Sequence, residues 1–248
     1  MKFTSKRKKL IALASIICVI ALVIGAFGIY VLDYYHADEG AIAMFSDSEG
    51  ISTYALNNGS IVFEPRDASI GFIFYPGGKV EHNAYQQLMA SLARNGILCV
   101  IVKMPFNLAI FNVNAADAIK EEYPQIKNWY IGGHSLGGSM AAMHISKNID
   151  KYRGLILLGS YSTSDISNSN FNVLSIYGSE DRVLNLTKYE ENKPNLPSDF
   201  TEVIIDGGCH AYFGVYGPQE GDGEPTISNS EQIRITVDEI IKMIRERG

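Results

Sequence analysis

Residues 128–142 read NWYIGGHSLGGSMAA, an apolar run that enters a glycine-dense turn and leaves it as a stretch of small and apolar residues. Gly133, His134, Ser135, Leu136 and Gly137 match G-x-S-x-G, the pattern of a nucleophile elbow. In such an elbow the serine sits on a strained strand-to-helix turn, and the residues two before and two after it must be small for strand and helix to pass closely. The spacing alone is a weak signal. An apolar strand before it and a helix after it make it specific. A dinucleotide-binding turn would need G-x-G-x-x-G, and a phosphate-binding loop a lysine ahead of Ser or Thr; the run has neither. The remaining alternative is a tight strand-to-helix connection without chemistry. Ser135 is therefore the candidate nucleophile.

Outward from the elbow, strand-like and helix-like stretches alternate. Ile70–Tyr75, Ile97–Lys103, Trp129–Ile131, Gly154–Leu158, Val173–Tyr177 and Val203–Ile205 are short apolar runs of the kind buried on both faces. Asn83–Asn95, Ala115–Glu122, Leu136–Lys147 and Ile227–Arg245 repeat their apolar residues at helical spacing. Ser52–Leu56 and Ser60–Glu64 flank Asn57-Asn58-Gly59 and read as a hairpin. This alternation predicts an α/β domain over 51–248, a mainly parallel twisted sheet with helices on both faces.

An elbow serine needs an acid and a base, which follow it in the order Ser, Asp or Glu, His. Asp181 lies on the loop after the strand that stops at Gly178, at the carboxyl end where such sheets bind ligands, with Glu180 as its competitor. Of the five histidines (36, 82, 134, 144 and 210), only His210 follows both serine and acid. His134, within the elbow, cannot readily fold back onto the neighbouring hydroxyl. An oxyanion hole needs two backbone N–H groups. One is expected from Leu136; the other from the loop Pro76-Gly-Gly-Lys-Val, at Gly78 or Lys79, because two glycines there permit close approach.

Composition bounds the partners. The chain of 248 residues is 46% hydrophobic and 19% charged, as a packed core requires. Its net charge is −6, yet residues 1–32 hold five of the 21 Lys and Arg and no acid, so the rest carries 16 basic against 27 acidic residues, a net −11. A negative body argues against nucleic acid as a partner. Cys18, Cys99 and Cys209 show neither a disulfide framework nor metal-ligand spacing, and Cys209 adjoins His210. No metal or organic cofactor is implied.

The first 32 residues read as an address. A basic segment (1–9) precedes Leu10–Leu32, 23 residues without a charge. About 20 helical residues cross a hydrocarbon core. Basic residues precede the run and Asp33, Asp38 and Glu39 follow it, which predicts an uncleaved single-pass anchor with the N-terminus cytoplasmic and the catalytic body outside the cytoplasm. Residues 33–50 read as a polar spacer. A cleaved signal peptide is the alternative, though the run is long for one and lacks a clear small-x-small site.

Several segments together resemble the short bacterial α/β hydrolases of the dienelactone-hydrolase and esterase branch, the fifth α/β-hydrolase domain family. They are Phe74-Tyr-Pro-Gly-Gly-Lys-Val, Val102-Lys-Met-Pro-Phe-Asn-Leu-Ala, Gly133-His-Ser-Leu-Gly-Gly, Tyr177-Gly-Ser-Glu-Asp, His210-Ala-Tyr-Phe-Gly and Tyr216-Gly-Pro-Gln-Glu-Gly-Asp-Gly, which span about residues 50–245. The resemblance implies the α/β-hydrolase fold, with Ser135 as nucleophile, Asp181 as acid and His210 as base. It also places a lid, where one exists, between the strands ending near Leu158 and starting at Val173. The short stretch there has no room for a lid domain. The expected chemistry is cleavage of an accessible ester, thioester or lactone in a small-molecule acyl substrate. Peptidase, acyltransferase and non-catalytic binding readings stand behind it.

Overall fold

The computed structural model describes residues 5–40 and 50–247 and divides the chain into two compact units, one ending at Tyr34 and one beginning at Tyr35. The first unit is a helix, α1 (Ser5–Leu32), whose stretch Arg7–Leu32 is long and apolar enough to cross a membrane. At 1.5 Å per residue, its 26 residues extend about 39 Å. The start of the basic segment and residues 41–49 of the expected spacer lie outside the described residues.

The second unit is built on one sheet of eight strands: β1 (Ile51–Ala55), β2 (Ile61–Pro65), β3 (Ile70–Tyr75), β4 (Ile97–Ile101), β5 (Asn128–His134), β6 (Gly154–Leu158), β7 (Asn172–Gly178) and β8 (Thr201–Ile205). Their spatial order is β1-β2-β4-β3-β5-β6-β7-β8. The β1/β2 hairpin joins β4 antiparallel through β2, and every other pairing is parallel. Because successive strand residues face opposite ways, Phe72 and Phe74 of β3 enter one core layer while Ile73 and Tyr75 enter the other. The first layer is covered by α2 (Gln86–Ala93) and α6 (Asn229–Arg247), which contribute Leu88, Leu92, Ile233, Val237, Ile240 and Ile244 at helical spacing. The second is covered by α3 (Ala115–Glu122) and α4 (Leu136–Ile145).

Several boundaries differ from the sequence reading for local reasons. The helix expected over 83–95 divides, because Tyr85 (φ −100°, ψ 9°) closes a short 3-10 turn at His82–Tyr85 before α2 begins. The strand expected over Trp129–Ile131 continues through Gly132 and Gly133 to His134, since those glycines keep the ladder to β3 and β6. A further helix, α5 (Leu186–Asn192), was not anticipated. It is short, capped by the Asn185 side chain accepting the Lys188 N–H at 2.9 Å, and buries only Tyr189. Part of the expected spacer belongs to the second unit: the Tyr35 N–H donates to the Lys79 carbonyl at 2.7 Å, Glu81 N–H donates to the Tyr35 carbonyl at 2.9 Å, and Asp38 N–H reaches the Val215 carbonyl at 3.0 Å.

Candidate active site

The elbow's geometry follows from crowding by backbone. Ser135 takes φ 52° and ψ −123°, a conformation that costs a side-chain-bearing residue about 1–3 kcal/mol. Its surroundings hold it there. Its N–H donates to the Leu158 carbonyl at the end of β6 (2.9 Å), and its own carbonyl accepts the Ser160 hydroxyl at 2.7 Å. A Cβ on Gly133 would lie 2.5 Å from the Tyr75 carbonyl oxygen, and one on Gly137 would overlap the carbonyl oxygens of Tyr75 and Pro76. The two small positions are thus the points where β5 and α4 slide past the end of β3.

Ser135, Leu136 and His210 line one cavity of about 230 Å³, together with Ser139, Gly159, Ser160, Tyr161, Val183, Leu184 and Asn185. Behind it His210 Nδ1 stands 2.8 Å from Asp181 Oδ2, and both side chains are buried. The other oxygen, Oδ1, accepts the N–H groups of Val183 (3.0 Å) and Leu184 (2.7 Å). A carboxylate holding two amides is an acceptor, so it takes the proton of Nδ1 and leaves Nε2 with a lone pair. That Nε2 is buried and without a hydrogen-bond partner among the described residues. Glu180, the competing acid, turns instead to Arg182, 3.4 Å away.

Gly159, directly after β6, escaped the sequence reading. Its φ is +52°, and a Cβ there would meet His210 Nδ1 at 2.9 Å and Asp181 Oδ2 at 3.2 Å. The chain crosses the imidazole–carboxylate pair so closely that only glycine fits. A single glycine between a strand and a serine-rich loop gives no sequence signal of this role.

Packed against the His210 ring and outside the cavity lining, Tyr85 and His134 form a buried pair that was also missed. The Tyr85 hydroxyl accepts the Gly77 N–H at 3.0 Å and lies 2.9 Å from His134 Nδ1. Its single proton therefore goes to Nδ1, and His134 carries its own proton on Nε2. Burial, reinforced by the neighbouring His210, holds the His134 imidazole well below its ordinary pKa, so it is neutral. The His134 and His210 rings lie 4.4 Å apart.

Gly78 and Lys79 part company in the loop after β3. The Lys79 N–H donates to the Asn107 carbonyl at 2.9 Å, whereas the Gly78 N–H has no acceptor among the described residues. A Cβ on Gly78 would touch Leu136 Cδ2 at 3.0 Å, so this loop abuts the first residue of α4. The other histidines serve elsewhere: His82 bonds to the Gly59 carbonyl, His144 is buried against Tyr152, and His36 stands beside Glu81. Cys209 is a free thiol pushed up to about 12, by burial first and by the nearby Asp222, which makes it a poor nucleophile.

The profile of a family described as an alpha/beta hydrolase family matches residues 71–234. Among solved structures, the chain is similar to a dienelactone hydrolase from Anabaena variabilis (TM-score 0.58, 13% identity, 77% of this chain and 97% of that one). It is similar to TT1662 from Thermus thermophilus (TM-score 0.58, 12% identity, covering 78% and 98%). A thermostable esterase from Pseudomonas putida also aligns (TM-score 0.52, 17% identity, covering 71% and 80%). No curated protein sequence matches. At these identities the solved structures establish the shared fold.

Proposed function

Because the chain belongs to the α/β-hydrolase family, we propose that it is a membrane-anchored serine hydrolase that cleaves a carboxylic ester or a related thioester or lactone. The observation that carries this reading is that Ser135, on its positive-φ turn, shares a cavity with a histidine whose Nδ1 is held by a buried carboxylate. In the proposed mechanism the Ser135 hydroxyl attacks the acyl carbonyl while His210 Nε2 takes its proton, and Asp181 holds the imidazole in the required tautomer. The developing oxyanion is met by the N–H groups of Leu136 and Gly78. Leu136 opens α4, where the first-turn amides lack intrahelical acceptors. Of the two candidate amides in the glycine loop, Gly78 is favoured because that of Lys79 already serves Asn107. His210 then protonates the leaving group, and water, activated by the same imidazole, releases the acid.

A cavity of about 230 Å³ is smaller than the several hundred Å³ usual for drug-sized ligands and suits a short acyl group. That two of the similar structures are named a dienelactone hydrolase and an esterase supports an ester-type bond. The apolar helix Arg7–Leu32 and its basic N-terminal flank support a single-pass anchor with the hydrolase body outside the cytoplasm.

The test is turnover of short p-nitrophenyl esters and labelling by a fluorophosphonate. Ser135→Ala is expected to lose both, with kcat reduced by about 10⁴-fold or more. Equal turnover and labelling in the variant would overturn the reading. For the anchor, an N-terminal tag and a C-terminal tag should remain together in the membrane fraction, and their separation would indicate cleavage.

A further inference from the structure

Asp222 lies 41 residues after Asp181 and 12 after His210 in the sequence, yet its carboxylate joins the loops that carry both. Oδ2 accepts the N–H of Ala211, the residue after His210, at 2.8 Å. Oδ1 accepts the N–H of Arg182, the residue after Asp181, at 3.3 Å, and that of its own neighbour Gly223 at 2.9 Å. Gly223 in turn presses against the carbonyl of Glu180, where a Cβ would overlap the oxygen. Nearer the strands the same two loops meet again, through the Glu180 N–H and the Gly208 carbonyl at 2.8 Å. Two ties, one on each side of the imidazole–carboxylate pair, leave the loops little freedom to shear.

We propose that Asp222 is a positioning residue for the hydrolase reaction, a carboxylate clamp that sets the register of His210 against Asp181. This rests on the triad reading above. Asp222 lines a separate cavity of about 460 Å³ with Cys209, Ala211 and Tyr212, not the cavity of Ser135. It therefore acts through the backbone of its neighbours and touches no reacting atom. A carboxylate is required because two oxygens must accept N–H groups arriving from two directions. An asparagine would turn an NH₂ group toward one of those donors and lose that half of the clamp.

The experiment uses the full chain in detergent micelles. For Asp222→Ala, kcat for p-nitrophenyl acetate is expected to fall about 100-fold with KM within about threefold of wild type, since small misplacements of reacting groups cost about this much. Asp222→Asn, which keeps one half of the clamp and the side-chain volume, should fall by about tenfold. Separately, ¹⁵N-histidine NMR in the Ser135→Ala background reads the His210 Nδ1–H resonance. This resonance depends on the bond to Asp181 and not on turnover, so it remains informative if Ser135 proves not to be the nucleophile. Its loss or broadening in Asp222→Ala and its partial retention in Asp222→Asn are expected. An unchanged resonance in Asp222→Ala, a kcat in Asp222→Asn within about twofold of wild type, or a loss carried by KM would each overturn the proposal. If Asp222→Ala does not fold, the Asn variant carries both readouts.

Discussion

Two glycine-rich turns face each other at the carboxyl ends of neighbouring strands, the elbow 132–138 after β5 and the loop 76–80 after β3, and their glycines are needed for different reasons. At the elbow's two motif glycines, the atoms that would meet a new Cβ are main chain: the Tyr75 and Pro76 carbonyls around Gly137, and the Tyr75 carbonyl with the backbone of Gly137 and Gly138 at Gly133. In the loop they are side chains, with His134 Nδ1 and the Tyr85 hydroxyl both 2.8 Å from a Cβ on Gly77, and the end of Leu136 beside Gly78. Backbone held in a sheet cannot withdraw, whereas a side chain can rotate. The elbow should therefore be intolerant of substitution, and the loop graded in its response.

The largest effect expected from this contrast is at Gly137. Gly137→Ala would force β3 and α4 apart, and a loss above about 4 kcal/mol, seen as failure to accumulate folded protein, should follow. A variant that folds with a near-normal Tm would break the distinction. Next comes Tyr85→Phe, which removes the hydroxyl linking the Gly77 amide to His134 and leaves two buried polar groups unpaired. Urea unfolding should register a loss of about 1–3 kcal/mol.

A pH response sharpens the comparison, because Gly77 of the loop packs against the elbow's own titratable ring, His134, whereas the motif glycines Gly133 and Gly137 meet only backbone. His134 is held below its unfolded pKa by burial, and burial likewise lowers His82 and His144. With the folded pKa depressed, the unfolded chain binds more protons as the medium is acidified. This stability is then complete above about pH 6.5 and falls below it by up to about 1.4 kcal/mol per pH unit for His134 alone. Unfolding free energies measured between about pH 7 and 5 should show that slope, and His134→Gln should flatten it; an equal slope in the variant would remove His134 as its source. The smallest effect is expected for Gly78→Ala, whose Cβ meets side-chain carbon alone, the Leu136 Cδ2 at 3.0 Å and Cβ at 3.3 Å and the Leu108 Cδ2 at 3.7 Å. Its Tm change should correspond to less than about 1 kcal/mol, and because the amide remains, kcat should fall by no more than about tenfold.

Much of the architecture was legible because its signals are local. Apolar runs of three to seven residues marked all the parallel strands, and the glycine spacing around Ser135 marked a turn where strand and helix must nearly touch. The strand ends slipped by a residue or more wherever pairing partners, rather than side-chain pattern, set the limit, as at Gly132–His134. Helix α5 was illegible because seven residues with one buried side chain carry almost no amphipathic pattern. The roles of Gly159, Tyr85 and Asp222 were missed for a different reason. Asp222 stands in a segment that carries the family resemblance, yet the role of each arises only through atoms that lie 8 to 51 residues away along the chain.

The amino-acid sequence by itself determined an α/β chain with an elbow at Ser135, an acid and a histidine downstream on strand-end loops, and an apolar N-terminal run long enough for a bilayer. Those are matters of spacing, chain order and length, which the linear chain carries intact. Only the tertiary structure decided that Asp181 rather than Glu180 faces His210, that the Lys79 amide is already engaged and the Gly78 amide is not, and that Tyr35–Asp38 is built into the α/β unit. The first two depend on which of two adjacent groups points inward, and the third on backbone pairing with segments far along the chain. The sheet settles that choice by bringing distant carbonyls, amides and rings into van der Waals contact.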